Sequence, residues 1–160
     1  MPATDLSEAL TREHRDIDAG IEEFTADLDR GVVRPEALLT AFAALRRHIY
    51  LEEEILFPPI REAGLMMPIL VMLREHGELW QSMETIEELL TDTDSGDVPH
   101  DRVAQACSDL LARLDQHNGK EEPIIYPHAD SDLDGDTAAT LAEFLRTGST
   151  PEGWRCETAP

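Results

Sequence analysis

The apolar residues of this chain recur at steps of three and four, and each run is interrupted by a group that should not be there. The runs are Leu6, Leu10, His14, Ile17, Ile21, Phe24, Leu28; Leu38, Ala41, Leu45, His48, Glu52, Ile55; Ile69, Leu73, His76, Trp80, Met83, Ile86, Leu90; and Val103, Cys107, Leu110, Leu114, His117, Glu121, Ile124. Such spacing keeps side chains on one face of an α-helix, and strand alternation fits none of the four segments. The fold class is therefore all-α. His14, His48, Glu52, His76, His117 and Glu121 stand on these stripes where a Leu or Ile would be expected.

Taking an unpaired charge out of water costs several kcal/mol. Six such groups in one core rival the whole stability of a domain, about 5–15 kcal/mol. A lone histidine on an apolar face is usually a satisfied core residue, and one HxxxE pair is a weak signal. Two HxxxE pairs, with a further stripe histidine on each of the other two helices, need a common neutralising partner. Metal ions supply it.

The local signals outline an up-down-up-down antiparallel four-helix bundle. Thr4 or Asp5 caps a first helix running to about Arg30, where Gly31 stops it. Pro35 opens a second helix that reaches Leu56 before Pro58 and Pro59 end it. A turn over 62–66 leads to a third helix from Pro68 to about Leu90. Residues 91–99 form a solvent loop. The fourth helix spans about His100 to Glu122, with Pro123 beyond it. An acidic loop over 130–136 precedes a short extra helix, Thr137 to Arg146. Residues 1–147 make the bundle. Residues 148–160 form an irregular tail, with Trp154 as a candidate anchor and no signal for where it docks.

The 160 residues carry 34 acidic against 13 basic side chains, a formal net charge of -21. That surface repels phosphate backbones and anionic lipid, which argues against nucleic-acid or membrane partners. The two cysteines form no CxxC pair. Cys107 falls on the fourth stripe as a small core residue, and Cys156 lies in the tail, so no disulfide framework is expected. The start, MPATDLSE, has no hydrophobic signal segment, and the longest apolar run, Leu65 to Leu73, contains Pro68 and is too short for a membrane span. The expected location is the cytoplasm.

The two halves resemble each other. Arg12-Glu13-His14 recurs as Arg74-Glu75-His76, and HIYLEEEILFP (48–58) recurs as HNGKEEPIIYP (117–127). Each half thus supplies one His and one HxxxE. Residues four apart share a helix face, so His48 with Glu52, and His117 with Glu121, can serve one cluster. An imidazole offers one lone pair and a carboxylate two oxygens. Four His and two Glu therefore suit two ions, with two His on each and two bridging carboxylates. Nitrogen and oxygen donors favour iron or manganese over calcium or magnesium, and the lack of thiolate ligands argues against structural zinc. Iron is the first choice. Glu53 and Glu122, one residue past the bridging positions, are expected in solvent. Tyr50 and Tyr126 are expected to pack in the core or rim. His100 and His128 lie off the stripes; His128 is close enough in sequence to support a ligand.

Over roughly residues 6 to 128 the chain resembles the hemerythrin-like, HHE cation-binding domains. The segments REHRDID, HIYLEEEILFPPI, LREHGEL and HNGKEEPIIYP carry the likeness. The resemblance implies a four-helix bundle around two non-haem iron ions with an oxo or hydroxo bridge. His14 and His48 would ligate one iron, His76 and His117 the other, and Glu52 and Glu121 would bridge.

The chain departs from the oxygen-carrying members, which have HxxxH on the third helix and HxxxxD on the fourth. Met72 and Trp80 flank His76 at four residues, so the fifth histidine is missing; Trp80→His or Met72→His would restore the spacing. With two His on each iron, both ions keep open positions. The expected function is reaction with a small oxidant, most simply hydrogen peroxide, in the manner of a catalase or peroxidase. The alternative is an iron, oxygen or nitric oxide sensor or store without turnover.

Overall fold

The computed structural model describes residues 5–91 and 98–160, and these fold into helices joined by short turns. Thr4, and most of the expected 91–99 loop, lie outside the described residues. The elements are α1 (Leu6–Asp29), α2 (Pro35–Leu51), a π-helical turn (Glu52–Leu56), α3 (Phe57–Glu62), α4 (Met66–Thr91), α5 (His100–Ile124), α6 (Tyr126–Ser131) and α7 (Gly135–Thr147). No strand occurs among the described residues, and no helix among them is long and apolar enough to cross a membrane.

The boundaries follow local chemistry. Asp5 caps α1 by accepting from the Glu8 amide at 3.0 Å, which satisfies one of the four free amides of the first turn. Gly31, at φ 77°, provides the left-handed residue after the helix. Asp134 caps α7 through the Thr137 amide at 2.7 Å, so this helix starts at Gly135 rather than Thr137. The third long helix likewise begins at Met66, not Pro68.

Pro58 and Pro59 do not end the second helix. The chain continues through the π turn, closed by the Phe57 amide on the Glu52 carbonyl, directly into α3. A proline lacks the amide that an α-helix needs four residues on, and its ring crowds that carbonyl. The wider i→i−5 turn just before the prolines accommodates both problems. Pro123, similarly, falls inside the last turn of α5. The chain then bends at Ile125 into α6, an element the sequence did not announce.

The stripes are buried except at their ends, where Ile55 and Leu90 are half-buried and Ile124 is exposed. Leu6, Leu10, His14, Ile17, Ile21, Phe24 and Leu28 are the buried residues of α1. The apolar core, however, divides in two. One cluster holds Ile17, Phe24, Phe42, Leu45, Met83, Leu110 and Leu114. The other holds Leu10, Leu51, Leu56, Phe57, Ile69, Met72 and Tyr126. Each fully buried aliphatic or aromatic side chain contributes roughly 1.5–3 kcal/mol, so both clusters are substantial. The six polar stripe residues fill the layer between them.

Residues 148–160 are irregular in backbone, as expected, but they are packed. Cys156 is buried in the first cluster, and Trp154 and Ala159 pack against it.

Candidate metal centre

Each long helix contributes one histidine to the polar layer: His14 from α1, His48 from α2, His76 from α4 and His117 from α5. Glu52 comes from the π turn and Glu121 from α5. All six are buried, with Glu52, Glu121 and His76 wholly inaccessible. The structure brings them together in two groups that can each hold a cation: His14, His48, Glu52 and Glu121; and Glu52, His76, His117 and Glu121. Within each group one ligand atom per residue lies within 4.8 Å of the others. The two glutamates belong to both.

A second set of carboxylates surrounds the first. His48 Nδ1 donates to Glu13 at 2.9 Å, His117 Nδ1 to Glu75 at 2.9 Å, His76 Nδ1 to Glu53 at 2.7 Å and His14 Nδ1 to Glu122 at 2.8 Å. A carboxylate only accepts, so every Nδ1 carries its proton and every Nε2 is left to face inward. The expectation that Glu53 and Glu122 are merely solvated is thus corrected. Consecutive glutamates grip opposite sides of one ring. Glu52 and Glu53 meet His76 at Nε2 (3.0 Å) and Nδ1 (2.7 Å), and Glu121 and Glu122 meet His14 at Nε2 (3.1 Å) and Nδ1 (2.8 Å). Glu13 and Glu75 stand in the repeated Arg-Glu-His, but nothing local marks them as partners of His48 and His117 on the next helix.

On the His76–His117 side the inner geometry fits a cation. His48 Nε2 stands 3.2 Å from Glu52 and His117 Nε2 3.3 Å from Glu121. His76 Nε2 and Glu52 Oε1, though 3.0 Å apart, are not aligned for a hydrogen bond, and neither atom has a partner; Glu121 Oε2 is also unpartnered. Adjacent ligands on an octahedral ion with bonds of about 2.1 Å lie about 3.0 Å apart. Buried donors aimed at one another without hydrogen bonding between them are what such an ion would satisfy.

Without a cation, protons take its place. Burial pushes the His48 pKa down, but Glu52 and Glu13 more than reverse this and raise it to about 10. His117 also reaches about 10: burial opposes, and Glu121, Glu75 and Glu52 prevail. Glu75, hydrogen-bonded by His117 and Lys120, falls to about 2. For Glu121, burial and the neighbouring imidazoles act in opposite senses, and the imidazoles hold it well below the usual carboxylate range.

Tyr126 is buried in the core, and its hydroxyl stands at the centre of the His14–His48 group, in the place a cation would take. Its hydroxyl lies 2.8 Å from His14 Nε2, 2.8 Å from His48 Nε2, 2.7 Å from Glu52 and 2.9 Å from Glu121. Burial and the two carboxylates raise its pKa well above 10.0, so it is a neutral phenol. At the matching position of the first half-repeat, Phe57 stacks on His76 with ring centroids 5.6 Å apart. The bend at Ile125 carries Tyr126 back under the site. Tyr50 packs on Phe144 and Trp154, as expected. His128 pairs with Asp132 and His100 bonds the Val98 carbonyl, both at the surface.

A cavity of about 10 Å³ lies on the other side of the histidines. Ile17, Leu45, Ile49, Leu79 and Leu114 roof it, and Asn118 adds one amide. Met72 and Trp80 do not line it. Met72 packs in the second cluster, with Leu10 and Tyr126, and Trp80 against Trp154, so neither position suits a fifth histidine facing this cavity.

An all-helical chain whose core is split by a buried layer of imidazoles and carboxylates defines a metal-binding helical protein. The chain belongs to the hemerythrin HHE cation-binding domain family, which matches residues 5–129. Neither the curated proteins nor the solved structures contain a significant match.

Proposed function

We propose that this is a dinuclear iron protein that decomposes a small oxidant, most simply hydrogen peroxide, in the cytoplasm. In this reading residues 1–147 form one up-down-up-down four-helix bundle. His14 and His48 hold one ion, His76 and His117 the other, and Glu52 and Glu121 bridge, with an oxo or hydroxo group completing the pair. The observation that carries it is that two four-residue groups share both glutamates. The family match and the chemistry of nitrogen and oxygen donors support iron.

Bound iron would supply Lewis acidity and a reservoir of electrons. The chain's own groups do the rest. The four outer carboxylates hold each imidazole in one tautomer and orientation. The aliphatic roof over the small cavity, which has room for about one water, keeps bulk water away from the histidines. Tyr126, a neutral phenol, would move aside for an ion on the His14–His48 side, where its hydroxyl can donate one hydrogen bond to a shared glutamate. Phe57 offers no such group beside His76. Two histidines per ion leave room for an exogenous ligand, and peroxide disproportionation to water and dioxygen requires no external reductant.

The test is metal analysis and an optical spectrum of iron-grown protein, followed by peroxide consumption. Close to two irons per chain, near-ultraviolet absorption from an oxygen-bridged ferric pair and many turnovers are expected. Two irons without turnover would assign sensing or storage instead. A zinc-only or metal-free chain from iron-replete growth would sink the reading.

A further inference from the structure

Residues 148–160 lie along the seam between α2 and α4. The Trp154 ring sits against Tyr50 of α2 and Trp80 of α4, with centroids 5.1 and 5.7 Å away. Its Nε1 donates to Glu54 in the π turn at 3.1 Å. Arg155 pairs with Glu84 of α4 at 3.2 Å. Thr158 Oγ1 donates to the Leu73 carbonyl at 2.6 Å. A Cβ on Gly77, the residue after His76, would collide with the Thr158 hydroxyl and carbonyl. The segment therefore rests directly on the α4 backbone, at a point that only glycine permits.

One contact reaches the polar layer. The Glu157 amide donates to Glu53 Oε1 at 2.9 Å, while Glu53 Oε2 accepts from His76 Nδ1 at 2.7 Å. Glu122 holds His14 in the equivalent way in the other half, but its side chain is 36% exposed where that of Glu53 is 5%. The two halves of the repeat are thus supported unequally.

We propose that residues 148–160 are a strap that positions His76 through the Glu157 amide and Glu53, so that retention of the ion on the His76–His117 side depends on this segment. The inference rests on the dinuclear reading above. Glu157 and Glu53 are positioning residues: they touch no ligand to the metal except the imidazole they orient. Outer-shell hydrogen bonds of this kind typically change metal affinity by about 10–100-fold.

Glu157→Pro is a clean probe. Cys156 to Ala159 forms a turn closed by the Ala159 amide on the Cys156 carbonyl at 3.1 Å, and proline suits the second position of such a turn. The change removes the one amide and little else. Gly77→Ala is an independent probe that lifts Thr158 from α4. Both are made in the full chain, loaded with ferrous iron, and challenged with a ferrous chelator. One ion per chain should leave about tenfold faster than in wild type, the second should leave at the wild-type rate, and the metal-free melting of Glu157→Pro should be unchanged. Glu53→Gln should accelerate the same ion, and adding Glu157→Pro to it should accelerate it no further. Unchanged release in both strap variants, or equal acceleration of both ions together with lower metal-free melting, overturns the strap. A wild-type chain that takes up fewer than two ions overturns the dinuclear reading and the strap with it.

Discussion

Glu13 on α1 accepts from the Nδ1 of His48 on α2 at 2.9 Å, and its other oxygen accepts from Arg47 at 2.9 Å. The same relation links Glu75 of α4 to His117 of α5, Glu53 to His76 of α4, and Glu122 of α5 to His14 of α1. The four bonds close a ring around the helices: each helix orients the histidine of a neighbour. Glu13→Gln keeps the shape but weakens a charge-assisted bond. It should lower metal affinity about 10-fold or more, measured by competitive chelator titration, with helical content intact. Wild-type affinity in this variant would refute the supporting role.

Glu52 and Glu121 each belong to both groups. Removing either carboxylate should therefore empty the site rather than half of it. Glu52→Ala and Glu121→Ala are expected to fall from two irons per chain towards none, by elemental analysis. A stable one-iron product from either would argue that the carboxylates do not bridge.

The pH behaviour of metal-free protein follows from the raised imidazoles. His48 and His117 titrate near 6.5 in an unfolded chain and at about 10 when folded. Their contribution to stability is fully present below about 6.5 and is lost as pH rises to about 10. Glu75 acts in the opposite sense, contributing above 4.5 and losing that contribution as pH falls towards about 2. Melting of chelated protein should thus decline from pH 6.5 to 10. Since a cation must displace the Nε2 protons, affinity should climb over the same range, and loaded protein should not share the alkaline loss. Identical pH–melting curves with and without metal would place the ions elsewhere.

Tyr126→Phe deletes a hydroxyl shared by four buried groups, while Phe57 at the matching position of the repeat is well packed. Leaving buried polar partners unsatisfied costs about 1–3 kcal/mol. The loss should appear mainly in metal-free protein, because bound cations neutralise the same carboxylates. Differential melting with and without metal checks this; an equal loss in both would show that the phenol matters in the loaded site as well.

Carriage and chemistry can be separated at the cavity. Leu79 faces it, whereas Trp80 and Met72 do not. Leu79→His should slow peroxide consumption with iron content retained, and Trp80→His should cost stability without adding a ligand. Reversible oxygen binding by wild type, with peroxide ignored, would reverse the assignment.

The sequence by itself determined the four long helices and the residues of the polar layer, though not the short helices α3 and α6. A period of three to four is a local property, and an imidazole or carboxylate on an apolar stripe must enter the core that the stripe builds. The α1 stripe is buried residue for residue, and His14, His48, Glu52, His76, His117 and Glu121 meet between two apolar clusters. Only the tertiary structure decided what surrounds that layer. Glu13, Glu53, Glu75 and Glu122 look like ordinary surface acids, since their partners sit on other helices. Tyr126 reaches the site because the chain bends after Pro123, and Glu52 and Glu53 share His76 across the gap between α2 and α4. The docking of residues 148–160 leaves no periodic trace, because an irregular segment is held by single contacts to elements about a hundred residues away. Periodicity is written in neighbours along the chain, whereas orientation of a ligand depends on groups that only folding brings within 3 Å.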